Sequence, residues 1–242
     1  MRDSAEILTD PPPPPADVRL AYGPEPLQFG DLRLPEAEAP PLAVVIHGGY
    51  WKANYNLIHT GHMSRALTEQ GVATWNVEYR SVGDPGGGWP GTGNDVARAV
   101  ELVAELPVDQ TRVVLVGHSA GGQLALWAAK RAQLPVVALA PVSDVRESAA
   151  RTGPDGAPAR FMAAEHFAEG SPLELLPLGV QQIVIHGTED DGVPYAMSER
   201  YVEAAGGEAE LVTLEGTGHF EPIDPLAPVF AQTVAAVQKL LF

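Results

Sequence analysis

The chain has 242 residues, 45% of them hydrophobic and 19% charged, enough to bury one sizeable core. A formal net charge of −16 argues against a nucleic-acid partner, because such binding relies on Lys and Arg to neutralise phosphates. With no cysteine there are no disulfides, thiol nucleophiles or Cys-ligated metals. No apolar run approaches a membrane span and the first ten residues lack a basic-then-apolar leader, so a soluble, cytoplasmic protein without a membrane partner is expected.

Residues 1–16, with Pro11 to Pro15, read as a stiff extended arm leading into the first strand. Val18 to Tyr22 and Leu27 to Leu34 read as two short strands joined at Gly23-Pro24, an antiparallel opening to a sheet. Pro41 to Ile46 is a buried strand that runs into His47-Gly48-Gly49-Tyr50-Trp51. His59 to Gln70 has helical spacing closed by Gly71, and the strand Ala73 to Tyr79 follows. After the Gly-rich loop 83–91, Thr92 and Asp95 form a capping-box-like start to a helix reaching about Glu105.

Val113 to Val116 is an apolar, β-branched strand, and Leu124, Trp127, Ala128 and Arg131 mark the helix beyond it. The strand Val136 to Pro141 comes next. Strands Gln182 to His186 and Glu210 to Leu214 then alternate with a helix after Pro194 and a final helix from Leu226 to the C-terminus. This β-then-α order predicts an α/β fold: a mostly parallel sheet, helices on both faces, and residues 1–242 as one domain. Residues 145–178 interrupt the alternation. Their apolar residues Phe161, Met162, Phe167 and Leu173 fit a short helical cap or lid over the sheet.

Between the Val113–Val116 strand and its helix lies Gly117-His118-Ser119-Ala120-Gly121-Gly122. A G-x-S-x-G string at a strand-to-helix turn has the form of a nucleophile elbow, in which a strained backbone lifts the serine hydroxyl clear of the sheet. Side chains at Gly117 or Gly121 would collide across so tight a turn. A serine hydroxyl is a poor nucleophile until a base takes its proton, and that base needs a carboxylate to hold its tautomer. His219, after the strand Glu210 to Leu214, and Asp190, after the strand Gln182 to His186, supply this pair in the chain order Ser119, Asp190, His219. Asp191 and Asp144 are rival positions for the acid.

The remaining histidines carry weaker signals. His47 and His186 precede glycines at strand ends and are expected to shape turns, His118 is the variable position of the elbow, and His166 in the cap is uninformative. His59 and His62 stand at i, i+3 without a third ligand at metal-binding spacing, so a structural or surface role is expected, with no metal and no cofactor. Developing negative charge on a reacting carbonyl needs preorganised N–H donors. Ala120 after the serine and the loop Gly48-Gly49-Tyr50 are suited to provide them. Tyr50, Trp51, Trp89 and Phe220 fall near the expected cleft and are candidate substrate contacts.

HGGYW (47–51), GHSAGG (117–122), HGTEDDGVP (186–194) and GHF (218–220), in this order, resemble the α/β-hydrolase superfamily. HGGYW together with GHSAGG is similar, more narrowly, to the kynurenine formamidase (arylformamidase) group and its esterase relatives. The resemblance implies Ser119 as nucleophile, Asp190 as acid, His219 as base, and the N–H groups of Gly49, Tyr50 and Ala120 as an oxyanion hole. It also implies a cofactor-independent serine hydrolase acting on a small carboxylic ester or aryl N-formyl amide. A small peptidase of the same fold and a ligand-binding protein without turnover are the rival readings, and the oligomeric state is not legible.

Overall fold

Runs of Val, Ile, Leu and Ala pair into one eight-stranded sheet in a computed structural model that describes residues 4–8 and 11–242. Residues 1–3 and 9–10 of the expected N-terminal arm lie outside the described residues. The strands are β1 (Val18–Ala21), β2 (Phe29–Arg33), β3 (Leu42–Ile46), β4 (Ala73–Val77), β5 (Val113–His118), β6 (Val136–Leu139), β7 (Gln182–Gly187) and β8 (Ala209–Leu214). Across the sheet they lie in the order β1-β2-β4-β3-β5-β6-β7-β8. β2 runs antiparallel to both its neighbours, and every pairing from β4 to β8 is parallel.

The helices are α1 (Gly61–Glu69), α2 (Gly91–Glu101), α3 (Ala120–Ala132), α4 (Val145–Thr152), α5 (Ala157–Phe161), α6 (Phe167–Gly170), α7 (Pro172–Leu175), α8 (Tyr195–Ala205) and α9 (Phe230–Leu241). β3 shows how they cover the sheet. Leu42, Val44 and Ile46 join a core with Val96 of α2, Leu124 of α3 and Met197 of α8, whereas Ala43 and Val45 meet Met63 of α1 and Val237 of α9. A strand covered on both faces must be apolar at every position, which is why β3 reads as a continuous run and not an alternation. This is the expected α/β-hydrolase architecture: a mostly parallel sheet with helices on both faces. Among the described residues no helix is long and apolar enough to cross a membrane.

Helices α4 to α7 occupy the segment between β6 and β7 that breaks the alternation. Phe161, Met162 and Phe167 are buried in the core on the α2–α3 side, and α7 packs against α3 and α8. At the other end of the chain, the Pro-rich segment lies near α1: His62 Nε2 donates to Pro11 O at 2.7 Å, and a Cβ on Gly61 would meet Pro13 at 2.5 Å.

Two local expectations are corrected. The last helix begins at Phe230, not Leu226, because Asp224 organises a turn first: its Oδ1 accepts from Leu226 N and its carbonyl from Ala227 N. Pro225 and Pro228 cannot donate the hydrogen bonds that an earlier helical turn would need. Thr92 and Asp95 do not cap α2, which starts at Gly91 after Pro90. Thr92 Oγ1 instead donates to Arg80 O, and the fully buried Asp95 carboxylate takes Arg80 Nε at 2.8 Å, Arg80 Nη2 at 2.7 Å and Gln28 Nε2 at 2.7 Å. A buried charge cannot be left to cap a helix when an arginine lies within reach. Asp95→Ala should therefore cost about 3–5 kcal/mol in urea unfolding by stranding Arg80, well above the ~1 kcal/mol of a lost cap.

Candidate active site

Because β3, β5, β7 and β8 run parallel, the loops leaving their carboxyl ends gather at one edge of the sheet, where open α/β sheets form their ligand crevices. Ser119 sits there between β5 and α3 with φ +57° and ψ −119°, a conformation that costs about 1–3 kcal/mol for a residue with a side chain. Backbone bonds hold it in place: Ser119 N donates to Leu139 O, and Ser119 O accepts from the N–H groups of Gly122 and Val142. A Cβ on Gly117 would lie 2.2 Å from the Gly121 carbonyl oxygen, and one on Gly121 would lie 2.2 Å from Ile46 O. The turn closes this tightly because both positions are glycine.

Asp190 and His219 meet across the ends of β7 and β8. Thr188 N donates to Leu214 O and Glu189 N to Thr217 O, zipping the two loops together. A Cβ on Gly187 would strike Thr217 O at 2.1 Å, so the close approach depends on that glycine. His219 Nδ1 donates to Asp190 Oδ2 at 2.6 Å, which leaves Nε2 of the neutral ring as the proton acceptor. The Asp190 side chain is fully buried. Burial alone would raise its pKa, but hydrogen bonds from His186 and His219 and the Val193 N–H outweigh it, and the carboxyl is held well below the usual carboxylate range. Of the rival acids, Asp191 is exposed, and Asp144 accepts from Glu147 N to cap α4.

Two histidines read only as turn or variable positions touch this pair. His186 Nε2 lies 3.1 Å from Asp190 Oδ2 and 3.0 Å from Val193 O, both acceptors, so it carries the proton, and Nδ1 accepts from Ser198 Oγ at 2.7 Å. Asp190 Oδ2 thus accepts from two imidazoles. His118 Nε2 donates to the His219 carbonyl at 2.8 Å, so its Nδ1 is an acceptor and takes the Nε2 proton of His59 at 2.7 Å. The signal for His186 was its i, i+4 spacing from Asp190 across a strand end; nothing in the sequence pointed to the partners of His118. His59 and His62 diverge, the first buried against His118 and the second on the surface, and His166 lies exposed beside Glu169. Among the described residues no group of three His, Asp or Glu side chains is arranged to hold a metal.

The loop after β3 packs onto the elbow: a Cβ on Gly48 would meet His118 O at 2.8 Å and Ser119 Cβ at 3.1 Å. His47 tethers it, with Nδ1 2.8 Å from Gly48 O, Nε2 3.0 Å from Glu78 Oε1 and its ring stacked on Tyr79. Tyr50 (φ +56°) and Trp51 (φ +53°) are held in the left-handed region. The N–H groups of Gly49 and Tyr50 donate to no acceptor among the described residues. The N–H of Ala120, first in α3, has no intrahelical partner.

Ser119, Ala120, Tyr50, Trp51, Val142 and Gly192 line a cavity of about 260 Å³ together with residues of α4 and α5. His219 borders it through Gly192, where a Cβ would lie 3.4 Å from the imidazole. The Ser119 hydroxyl makes no hydrogen bond to His219 in this structure. Of the aromatic candidates, Trp51 lines the cavity while stacking on Phe161 at 4.4 Å. Trp89 and Phe220 are not among its lining residues. Trp89 packs edge-on to Trp127 against Gly93 and Gly170, and Phe220 packs against the rings of His118 and His219.

Comparison with known proteins adds a family to this geometry. The model of the prolyl oligopeptidase family matches residues 91–224, more than half of the chain, and the BD-FAE model matches residues 31–138. The chain belongs to the prolyl oligopeptidase family. It is 30% identical over 161 residues to an uncharacterized protein of Mycobacterium tuberculosis H37Rv, covering 65% of this chain and 56% of that one. It is 25% identical over 251 residues to the "Probable isoprenylcysteine alpha-carbonyl methylesterase" of Oryza sativa, covering 86% and 59%. The chain therefore spans little more than half the length of these curated relatives. Among solved structures, a thermophilic esterase of Thermogutta terrifontis with propionate bound superposes with a TM-score of 0.74 at 21% identity, covering 94% of each chain. The α/β-hydrolase fold of this family member is thus shared with esterases.

The buried histidines give this family member an acid-labile site. Burial pushes His118 down to about 3 and His59 well below the ordinary histidine value, so the native state keeps both neutral. The unfolded chain protonates them near pH 6.5, and unfolding therefore takes up protons as pH falls below that value. Asp190 and Glu78, whose folded pKa values are depressed, contribute losses only at lower pH. Stability should fall from pH 6.5 to 4.5 by up to ~1.4 kcal/mol per pH unit for each imidazole. His118→Gln, which retains an N–H donor but does not titrate, should show a shallower slope in urea midpoints measured across that window.

Proposed function

We propose that the chain is a serine hydrolase that cleaves a small carboxylic ester through an acyl-enzyme on Ser119. The observation that carries this reading is the Asp190–His219 hydrogen bond at the edge of the sheet where the strained Ser119 turn opens into a cavity. Asp190 fixes the Nδ1–H tautomer of His219, so Nε2 takes the hydroxyl proton while Oγ attacks the acyl carbon. The serine-to-histidine hydrogen bond forms when substrate enters, since such bonds are often loose in free enzymes. Negative charge on the carbonyl oxygen is met by the N–H groups of Gly49, Tyr50 and Ala120, which have no protein acceptor to give up. The His219 imidazolium then protonates the leaving alcohol, and water repeats the sequence to free the acid.

The cavity is at the small end for a ligand site and is lined in part by α4 and α5, which favours a short acyl or leaving group over a polypeptide. The methylesterase name of the rice relative and the propionate in the Thermogutta esterase support the same choice. The prolyl oligopeptidase family match favours a second reading, a small peptidase that cleaves a short peptide amide in the same cavity.

A fluorophosphonate probe should label the wild-type chain and fail to label Ser119→Ala; an unlabelled wild type would overturn the nucleophile. On one preparation, turnover of a p-nitrophenyl ester should exceed that of N-formylkynurenine and of an aminoacyl anilide, and the reverse order would favour the amide reading. Asp190→Asn should lower kcat by about 10³–10⁴-fold, whereas Asp191→Asn should stay within about twofold in the same assay.

A further inference from the structure

The residues lining the Ser119 cavity include two cations, Lys52 and Arg151, and no carboxylate. In a chain whose acids outnumber its bases by 16 charges, that composition is unusual. Eight of the other Lys and Arg side chains lie on carboxylates. Arg80 lies on Asp95, Arg146 of α4 pairs with Glu174 and Glu147 of α4 with Arg200. Among the described residues, Arg151, one turn further along the same helix, has no carboxylate, carbonyl or aromatic partner, and Lys52 makes no ion pair, its Nζ lying 5.4 Å from the Tyr50 ring centroid. The two come from different elements, Lys52 on the loop after β3 and Arg151 on α4, whose Ser148 and Thr152 also line the cavity.

We infer that the substrate of this site is a mono-anion, an ester or small amide with a carboxylate remote from the scissile bond, and that Lys52 and Arg151 hold that carboxylate. The inference rests on the serine-hydrolase reading and names the substrate class within it. The global charge of the chain repels such a molecule; two cations lining a cleft oppose that repulsion locally. An arginine fork suits a carboxylate, and neither cation must first give up an internal ion pair. Both groups are exposed, so the preference should be modest and should shrink with salt.

Two matched pairs test it from either side of the scissile bond. Monoethyl succinate against ethyl valerate places the charge on the acyl half, and 3-acetoxybenzoate against phenyl acetate places it on the leaving group. In at least one pair, kcat/KM for the anion should exceed that for the neutral ester about tenfold at low ionic strength. The ratio should fall toward one as ionic strength rises from about 0.01 to 1 M, and also in Lys52→Met/Arg151→Met. Arg98→Met removes an equal charge from α2, away from the cavity, and should leave the ratio unchanged. Neutral members preferred in both pairs, or a ratio that the double substitution does not move, would overturn the anion site. Loss of fluorophosphonate labelling together with no turnover of any ester would instead overturn the hydrolase reading. In that event, ligand-observed NMR of 3-acetoxybenzoate against phenyl acetate still decides: anion-selective binding lost in the double variant supports the site, and equal binding overturns it.

Discussion

The Asp190 carboxylate is the group on which the candidate site depends. Its side chain is sealed from solvent, and a buried charge survives only if every lone pair is engaged. Four N–H donors meet it: His219 and His186 on Oδ2, and the Gly192 and Val193 amides on Oδ1. Those bonds fold residues 190–193 around the carboxylate, place Gly192 against the His219 ring, and choose which nitrogen of His219 carries its proton. Removing the carboxylate would leave two imidazoles and two amides facing an empty acceptor position.

Strain at Ser119 is sustained in the same manner, by contacts that leave no alternative. The turn is gripped by β6 through Leu139, by the N-terminus of α3 and by the loop after β3, with approaches close enough that glycines are required at Gly117 and Gly121. His118 ties this turn to the His219 loop through a hydrogen bond from its Nε2 to the His219 carbonyl. Neutral imidazoles suit this task in a dry interior because each ring offers one donor and one acceptor, and the His59–His118 pair uses both functions of His118.

The fold by itself does not choose a substrate. The sheet and its helices are shared with esterases at about one-fifth identity, and fold similarity at that distance says nothing of substrate. The walls of the cavity carry Tyr50, Trp51 and Lys52 of the loop after β3, and Arg151 of α4, whose neighbours Arg146 and Glu147 are paired.

Much of the architecture was legible in the sequence, because strand burial and helix periodicity are local properties that act over a few residues. The continuous apolar runs of β3 and β5, the glycines flanking Ser119, and Asp190 and His219 after later strands are all of this kind. The tertiary structure alone decided what depends on residues far apart. Asp95 is drawn from a capping role by Arg80 and by Gln28, which is 67 positions away. Trp89 and Phe220 are taken into packing by rings on other elements. His186 and His118 acquire their hydrogen-bond partners only when β5, β7 and β8 lie in one sheet, and Lys52 and Arg151 share a cavity only when α4 folds back over the loop after β3. Propensity and spacing carry no information about such meetings, because burial and pairing of polar groups are settled by which surfaces the chain brings together, not by the residues beside them.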